Sequence, residues 1–184
     1  MKKYEFTGET KKVEMLFRIV TLHRIRATVS FGLVEVGELG GWIEKEENLS
    51  HDGKAWVCGD AKVWGNAKVC GDAKVWGNAK VWGNAKVWGN AEVWGNAEVF
   101  SASHVLVIGA IGSRNDFTTF YRDKDNEITV KCGCFLGKID KFLQKVTETH
   151  GDSKYALVYR AAVEVAKLQI DLSGEAPKEE DGAE

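Results

Sequence analysis

Residues 61–102 read AKVWGN, AKVCGD, AKVWGN, AKVWGN, AKVWGN, AEVWGN and AEVFSA, one six-residue phrase repeated almost without change. A repeat this close sets the architecture before anything else is read. Inside each phrase Ala and Val alternate with a charged residue and Trp or Cys, the period of a short strand that buries one face. The Gly-Asn or Gly-Asp step that closes the phrase is a corner, because both residues tolerate left-handed backbone angles. Strands this short, with a corner every six residues, cannot form hairpins. They wind into a prism in which each residue stacks on the one a full coil later.

Val63 and Ala67, Val75 and Ala79, and Val87 and Ala91 each place a small residue four positions after an aliphatic one. That pattern resembles the hexapeptide-repeat proteins, which fold as left-handed parallel β-helices. The left hand is what the resemblance implies; the general preference for right-handed crossovers gives the opposite sense. Three phrases per coil make eighteen residues a turn, so residues 55–112 build about three coils, roughly 15 Å tall. The expected fold is mainly β: a left-handed parallel β-helix with an N-terminal β cap over 1–54. A β-hairpin and two helices follow over 113–172, then a disordered acidic tail over 173–184 that carries the only proline, Pro177.

With 184 residues the chain suits one compact unit, and a net charge of −2 gives no strong field toward nucleic acid or membrane. No run of eighteen apolar residues and no leader pattern appears, which points to a soluble, cytoplasmic protein. Cys58 and Cys70 fall on different faces of the prism, and Cys132 and Cys134 lie on the same side of one strand. The four make no disulfide framework.

Before the repeat, Tyr4 and Phe6 alternate up to a Thr7-Gly8-Glu9 turn, and Val13, Met15, Phe17 and Ile19 alternate again. His23, Arg24 and Arg26 form a basic cluster expected on a solvated edge. This unit should cap the open end of the helix, which would otherwise be an unpaired strand edge, and fix the register of near-identical coils. Ile43 and Leu49 already keep the six-residue spacing. Ser50-His51-Asp52 is not read as a triad, because hydrolytic triads gather residues in space and not along one turn; His51-Asp52-Gly53 reads as a turn.

Outside the prism, side chains line up at eighteen-residue spacing. One face carries Cys58, Trp76 and Trp94, the next Trp64, Trp82 and Phe100, the third Cys70, Trp88 and Leu106. Lys80 meets Glu98 and Lys74 meets Glu92 on neighbouring rungs. An indole column on each face is a large apolar area, and it admits three uses: subunit packing, shielding under Lys stems, or stacking of bases. Packing into a homo-oligomer, most simply a trimer, is the expected one, with Trp76, Trp82, Trp88 and Trp94 at the interface. The last helix supports it. Tyr155, Tyr159, Ala162, Ala166 and Ile170 form one apolar stripe and Leu157, Ala161, Val165 and Leu168 a second, so a neighbouring subunit should cover one of them, with Tyr155 and Tyr159 also at the contact.

After the repeat, VLVIGAIGS ends the helix, DFTTFY and EITVKCGCF form a hairpin about Asp123–Asn126, and Gly151 stops the first α-helix, with Asp152 as the cap of the second. Candidate chemistry collects here. Ser113, Arg114, Asn115, Thr118 and His150 could form an anion pocket for a small phosphorylated ligand. Cys132, Cys134 and His150 are a poor match to zinc spacing, so no metal and no cofactor is expected. A structural reading, with a buried Cys and His150 at the favourable end of the helix dipole, also remains.

The stretch GELGGWIEKEENLSHDGKAW (37–56) with its repeats is similar to a bacterial and phage group of hexapeptide-repeat proteins often labelled acyltransferases. The GSRND turn, CGCF strand and THG helix end resemble tails that follow such repeats in phage-encoded proteins. The resemblance implies a phage protein aimed at a host immune factor or a nucleotide signal. Acyl-CoA-dependent acyltransferases of the wider class use a general-base His near a subunit boundary, and that is the alternative. From Ala61 to Phe100 the coils hold no His and no insertion; His51 and His104 flank them, His104 expected at the surface. A non-enzymatic, oligomeric binding protein is the expected function.

Overall fold

The computed structural model describes residues 2–15 and 18–174; the expectations for Phe17 and for 175–184 lie outside them. Strands β1 (Tyr4–Met15) and β2 (Arg18–Ala27) pair antiparallel, with Val13 opposite Val20. The chain reverses between Met15 and Arg18, which flips the parity of the alternation. Val20 and Leu22 are therefore buried with Val13, and Ile19 is exposed. The Thr7-Gly8-Glu9 step is not a turn. It is a bulge inside β1, where the register shifts between Phe6 and Thr10 and Gly8 takes φ +92°.

Strand β3 (Leu39–Ile43) pairs antiparallel with β2. That places β2 between two neighbours, so His23, Arg24 and Arg26 are not on an edge; Arg24 lies over the Trp42 ring at 5.1 Å. The solenoid follows as two-residue strands: β4 (Trp56–Val57), β5 (Lys62–Val63), β6 (Lys68–Val69), β7 (Lys74–Val75), β8 (Lys80–Val81), β9 (Lys86–Val87), β10 (Glu92–Val93) and β11 (Glu98–Val99). All pair in parallel at a spacing of eighteen, as in Lys62 opposite Lys80 and Lys80 opposite Glu98. The rows β3-β5-β8-β11, β4-β7-β10 and β6-β9 are the three sides of the prism. Ile43 and Leu49 do begin the core column, opposite Val63 and Val69.

The inside is as narrow as Ala and Val make it. Every repeat Ala from Ala61 to Ala97 and every Val from Val63 to Val99 is essentially sealed from solvent. At the corner Gly71 φ is +71°, and a Cβ there would come within 3.0 Å of the Gly89 nitrogen on the next coil. Glycine is required twice over, by backbone angle and by contact. Lys74–Glu92 (3.2 Å) and Lys80–Glu98 (3.6 Å) form the expected rung-to-rung ion pairs.

Beyond the solenoid lies more than one hairpin. β12 (Val105–Ile111), β13 (Asp116–Arg122), β14 (Ile128–Cys132) and β15 (Phe135–Lys138) form a four-stranded antiparallel sheet in that order. The segment expected only to end the helix supplies β12. CGCF breaks at Gly133 (φ +55°), so Cys132 closes β14 while Cys134 is exposed in the turn, not on the same strand side. One face of β13 meets the solenoid: the Tyr121 hydroxyl donates to the Trp94 carbonyl at 3.0 Å, and the Glu92 N–H donates to Thr119 Oγ1 at 3.0 Å. The other face packs Phe120 against α1 (Ile139–His150) and α2 (Lys154–Gln169).

Gly151 stops α1 at φ +54°, as read. Ser153, not Asp152, holds the N-cap position of α2; Asp152 is turned outward beside Arg160 at 3.5 Å. Of the two α2 stripes, Tyr159, Ala162, Ala166 and Ile170 enter the second core. Leu157, Val158, Val165 and Leu168 face out, Leu168 at 90% exposure.

Candidate functional site

On the β5-β8-β11 side, Trp64 and Trp82 stack at 5.0 Å between ring centres, with Phe100 below. Val13, Val20, Leu22 and Trp42 close over them. Trp82, expected at a subunit contact, is only 6% exposed, because the β1–β2 hairpin folds down over this side. Tyr159, expected there too, is equally buried, in the second core. Tyr155 is half-buried. Among the described residues nothing covers the β6-β9 side: Trp88 is 68% exposed, with Lys68 and Lys86 beside it.

The β4-β7-β10 side is neither covered nor bare. It is the floor of a cavity of about 660 Å³ held open between the two ends of the molecule. Trp56, Lys74 and Glu92 follow one another down the rungs, register partner on register partner. Trp76 and Trp94 stack beside them at 5.2 Å with planes 8° apart. Lys54, Asp72 and Asn90 line the corner edge. The segment from Phe31 to Val34, with Glu38, walls the upper end, and Phe31 meets Trp56 edge-on at 5.4 Å. Asp116, Phe117, Thr119, Lys131 and Gly133 wall the lower end. This volume suits a ligand of drug or nucleotide size.

Charge in the groove is uneven. Glu92 is shared by two ammonium groups, Lys74 at 3.2 Å and Lys131 at 3.3 Å, and Lys131 also lies over the Trp94 ring at 4.8 Å. Three further carboxylates are already engaged by backbone N–H groups: Asp72 by Lys54, Glu38 by Glu35, and Asp116 by Phe117. Among the described residues the buried indole N–H groups of Trp56, Trp76 and Trp94 meet no acceptor, and neither does that of Trp82 under the hairpin. Above the groove, burial pushes the Lys3 ammonium down to about 8; it donates to the Ala55 carbonyl at 2.8 Å and lies 5.0 Å from the Phe31 ring.

The sequence-derived cluster divides across the C-terminal sheet. Thr118 faces the helices, where its hydroxyl donates to the Cys132 sulfur at 3.2 Å. His150 stacks on Tyr159 at 5.8 Å, on that same far side. Ser113 and Asn115 are exposed at the loop tip, Asn115 at φ +52°. Arg114 is exposed in the same loop, its Nη1 3.2 Å from where a Cβ on Gly133 would stand, and it is not among the residues that line the groove. Cys132, Cys134 and His150 are not gathered, and among the described residues no group of three His, Cys, Asp or Glu side chains could hold a metal. Lys131 was missed. Its signal was parity: it alternates with Cys132, so it had to face the solenoid once Cys132 faced the helices.

The two flanking histidines are committed. His51 Nδ1 accepts from the Lys3 N–H at 3.1 Å and its ring stacks on Tyr4 at 4.3 Å; burial holds its pKa below the usual range. His104 is not at the surface. It is 2% exposed, accepts from the Phe100 N–H at 3.3 Å, and is pushed down to about 4 by burial and then by nearby Arg122. No protein-family model matches the chain, and no curated protein sequence matches it. No helix among the described residues is long and apolar enough to cross a membrane.

Proposed function

We propose that this chain is a non-enzymatic binding protein that works as a homo-oligomer, most simply a trimer, and takes a small ligand in the groove. The observation that carries it is the β4-β7-β10 side, where aromatic and charged side chains line a cavity that the described residues leave open. Support for association comes from the outward stripe of Leu157, Val158, Val165 and Leu168 and from Trp88 on the bare side. Against an acyl-transfer base stand the engagements of His51 and His104. The resemblance adds a phage origin and a host-directed target to this reading.

Mass spectrometry of small molecules released from the purified protein should identify a bound ligand, and its rebinding should quench tryptophan emission. Retention of acetyl-CoA by calorimetry would favour the acyltransferase reading instead. Light scattering should give about three times the chain mass, and Val165→Asp should dissociate the assembly, since burying an unpaired carboxylate costs several kcal/mol. A clean monomer of the unmodified chain at micromolar concentration overturns the oligomer.

A further inference from the structure

We propose that His51 is a proton-operated latch on the N-terminal cap: the neutral ring holds Lys3 against the first coil, and the protonated ring releases Lys3 and slackens the upper wall of the groove. His51 Nδ1 accepts from the Lys3 N–H at 3.1 Å, and the ring stacks on Tyr4 at 4.3 Å. A ring nitrogen that accepts carries no proton, so the neutral imidazole keeps its proton on Nε2. A second proton on Nδ1 sets N–H against N–H, and the bond to Lys3 breaks.

Lys3 joins that bond to the groove. Its carbonyl accepts from the Thr28 N–H at 3.0 Å, which ties the start of β1 to the end of β2. Its ammonium donates to the Ala55 carbonyl at 2.8 Å and lies 5.0 Å from the Phe31 ring. Phe31 in turn meets Trp56 edge-on at the upper end of the groove and exchanges two backbone bonds with Val34, each 2.9 Å. Releasing Lys3 from His51 therefore removes a support from Phe31.

The charges around the ring set the direction of the switch. Burial opposes a charge on His51, Glu46 Oε2 at 4.0 Å from Nε2 favours one, and Lys2, Lys3 and the chain's amino group oppose it. The balance holds the His51 pKa below its usual range, so the latch is fully closed above about pH 6.5 and is lost as pH falls below it. Its neighbours keep their states meanwhile. Glu46, bonded to Lys2, stays ionised, burial keeps the Tyr4 hydroxyl protonated, and the Lys3 ammonium, at about 8 and favoured by Asp52 and Asp72, stays charged.

Amide hydrogen exchange on the full chain, corrected for intrinsic rates, tests the latch between about pH 7.5 and pH 5. Protection of Lys3, Thr28, Phe31 and Val34 should fall together below about pH 6.5, by up to tenfold per pH unit relative to the Trp82 amide in the coils. His51→Asn keeps an acceptor near the Nδ1 position but cannot titrate, so these amides should stay protected at every pH. His51→Phe keeps the stack on Tyr4 without the acceptor, so Lys3 should exchange fast at every pH. A flat profile at Lys3 in the parent chain, or a pH dependence that survives in His51→Asn, overturns the latch. A response at Lys3 and Thr28 that does not reach Phe31 and Val34 overturns its link to the groove. No arm uses a ligand, so failure here leaves the groove as a binding site untouched.

Discussion

Trp76 and Trp82 hold the same place in consecutive copies of one phrase, yet one walls an open groove and the other is sealed beneath a hairpin. Nothing within AKVWGN separates them. Both of their sides present the same indole stack, at 5.2 Å for Trp76–Trp94 and 5.0 Å for Trp64–Trp82. What differs is the chain at either end: β1 and β2 descend over one side, while the Phe31 segment and the β13–β14 strands stand apart on the next. In a repeat protein the repeat supplies identical surfaces and the caps assign their use.

The harshest way to break this comparison is from within, because the core is common to all three sides. Val81→Asp puts a carboxylate where exposure is zero, in a space only Ala and Val fit. It should cost several kcal/mol and unfold the solenoid, as seen by loss of the cooperative transition in circular dichroism. Trp82→Ala comes next, at about 3–5 kcal/mol, since it empties a covered site. Trp76→Ala should cost clearly less, because its ring already faces the groove. Equal melting losses for the two would mean that the hairpin does not cover its side in solution.

His104 sharpens the contrast from the C-terminal end. Its folded pKa, about 4, lies below the unfolded value near 6.5, so the unfolded chain binds the proton more readily. The neutral ring therefore contributes full stability above pH 6.5, and that contribution is lost as pH falls from 6.5 toward 4. Denaturation across this window should show a loss on the order of 3 kcal/mol that His104→Gln removes. An unchanged pH profile in the variant would place the loss elsewhere. The smallest effect belongs to the surface: Lys80→Glu sets like charges beside Glu98 and should cost below about 1 kcal/mol. Losses from Lys80→Glu as large as from Val81→Asp would reverse inside and outside.

The solenoid was legible because its signal is local and repeated: period two, a corner every six residues, and columns at eighteen. Gly151 as the end of α1 was legible because its signal is local. The errors gather where the chain leaves the repeat. Reading Val13 to Ile19 through as one strand misses a reversal that changes parity. VLVIGAIGS looks like a decaying repeat until β13 is there to pair with it. The candidate site was half visible. The Trp76–Trp94 column was marked, but nothing local tells that Thr118 and His150 fall behind the sheet while Lys131 falls in front. That depends on which face of β13 docks on the last coil, a contact between residues far apart in sequence.

The groove's two end walls come from opposite ends of the chain, Phe31 to Glu38 above and Asp116 to Gly133 below, and only the coils between fix their separation. The number of coils is therefore a ruler. Duplicating eighteen residues would move the walls apart by one strand spacing, about 4.8 Å, and add one more row of the same floor. Inserting six residues would instead turn the lower wall by a third of a revolution, onto a different side of the prism from the upper one. Whole coils adjust the length of the ligand; single phrases abolish the site.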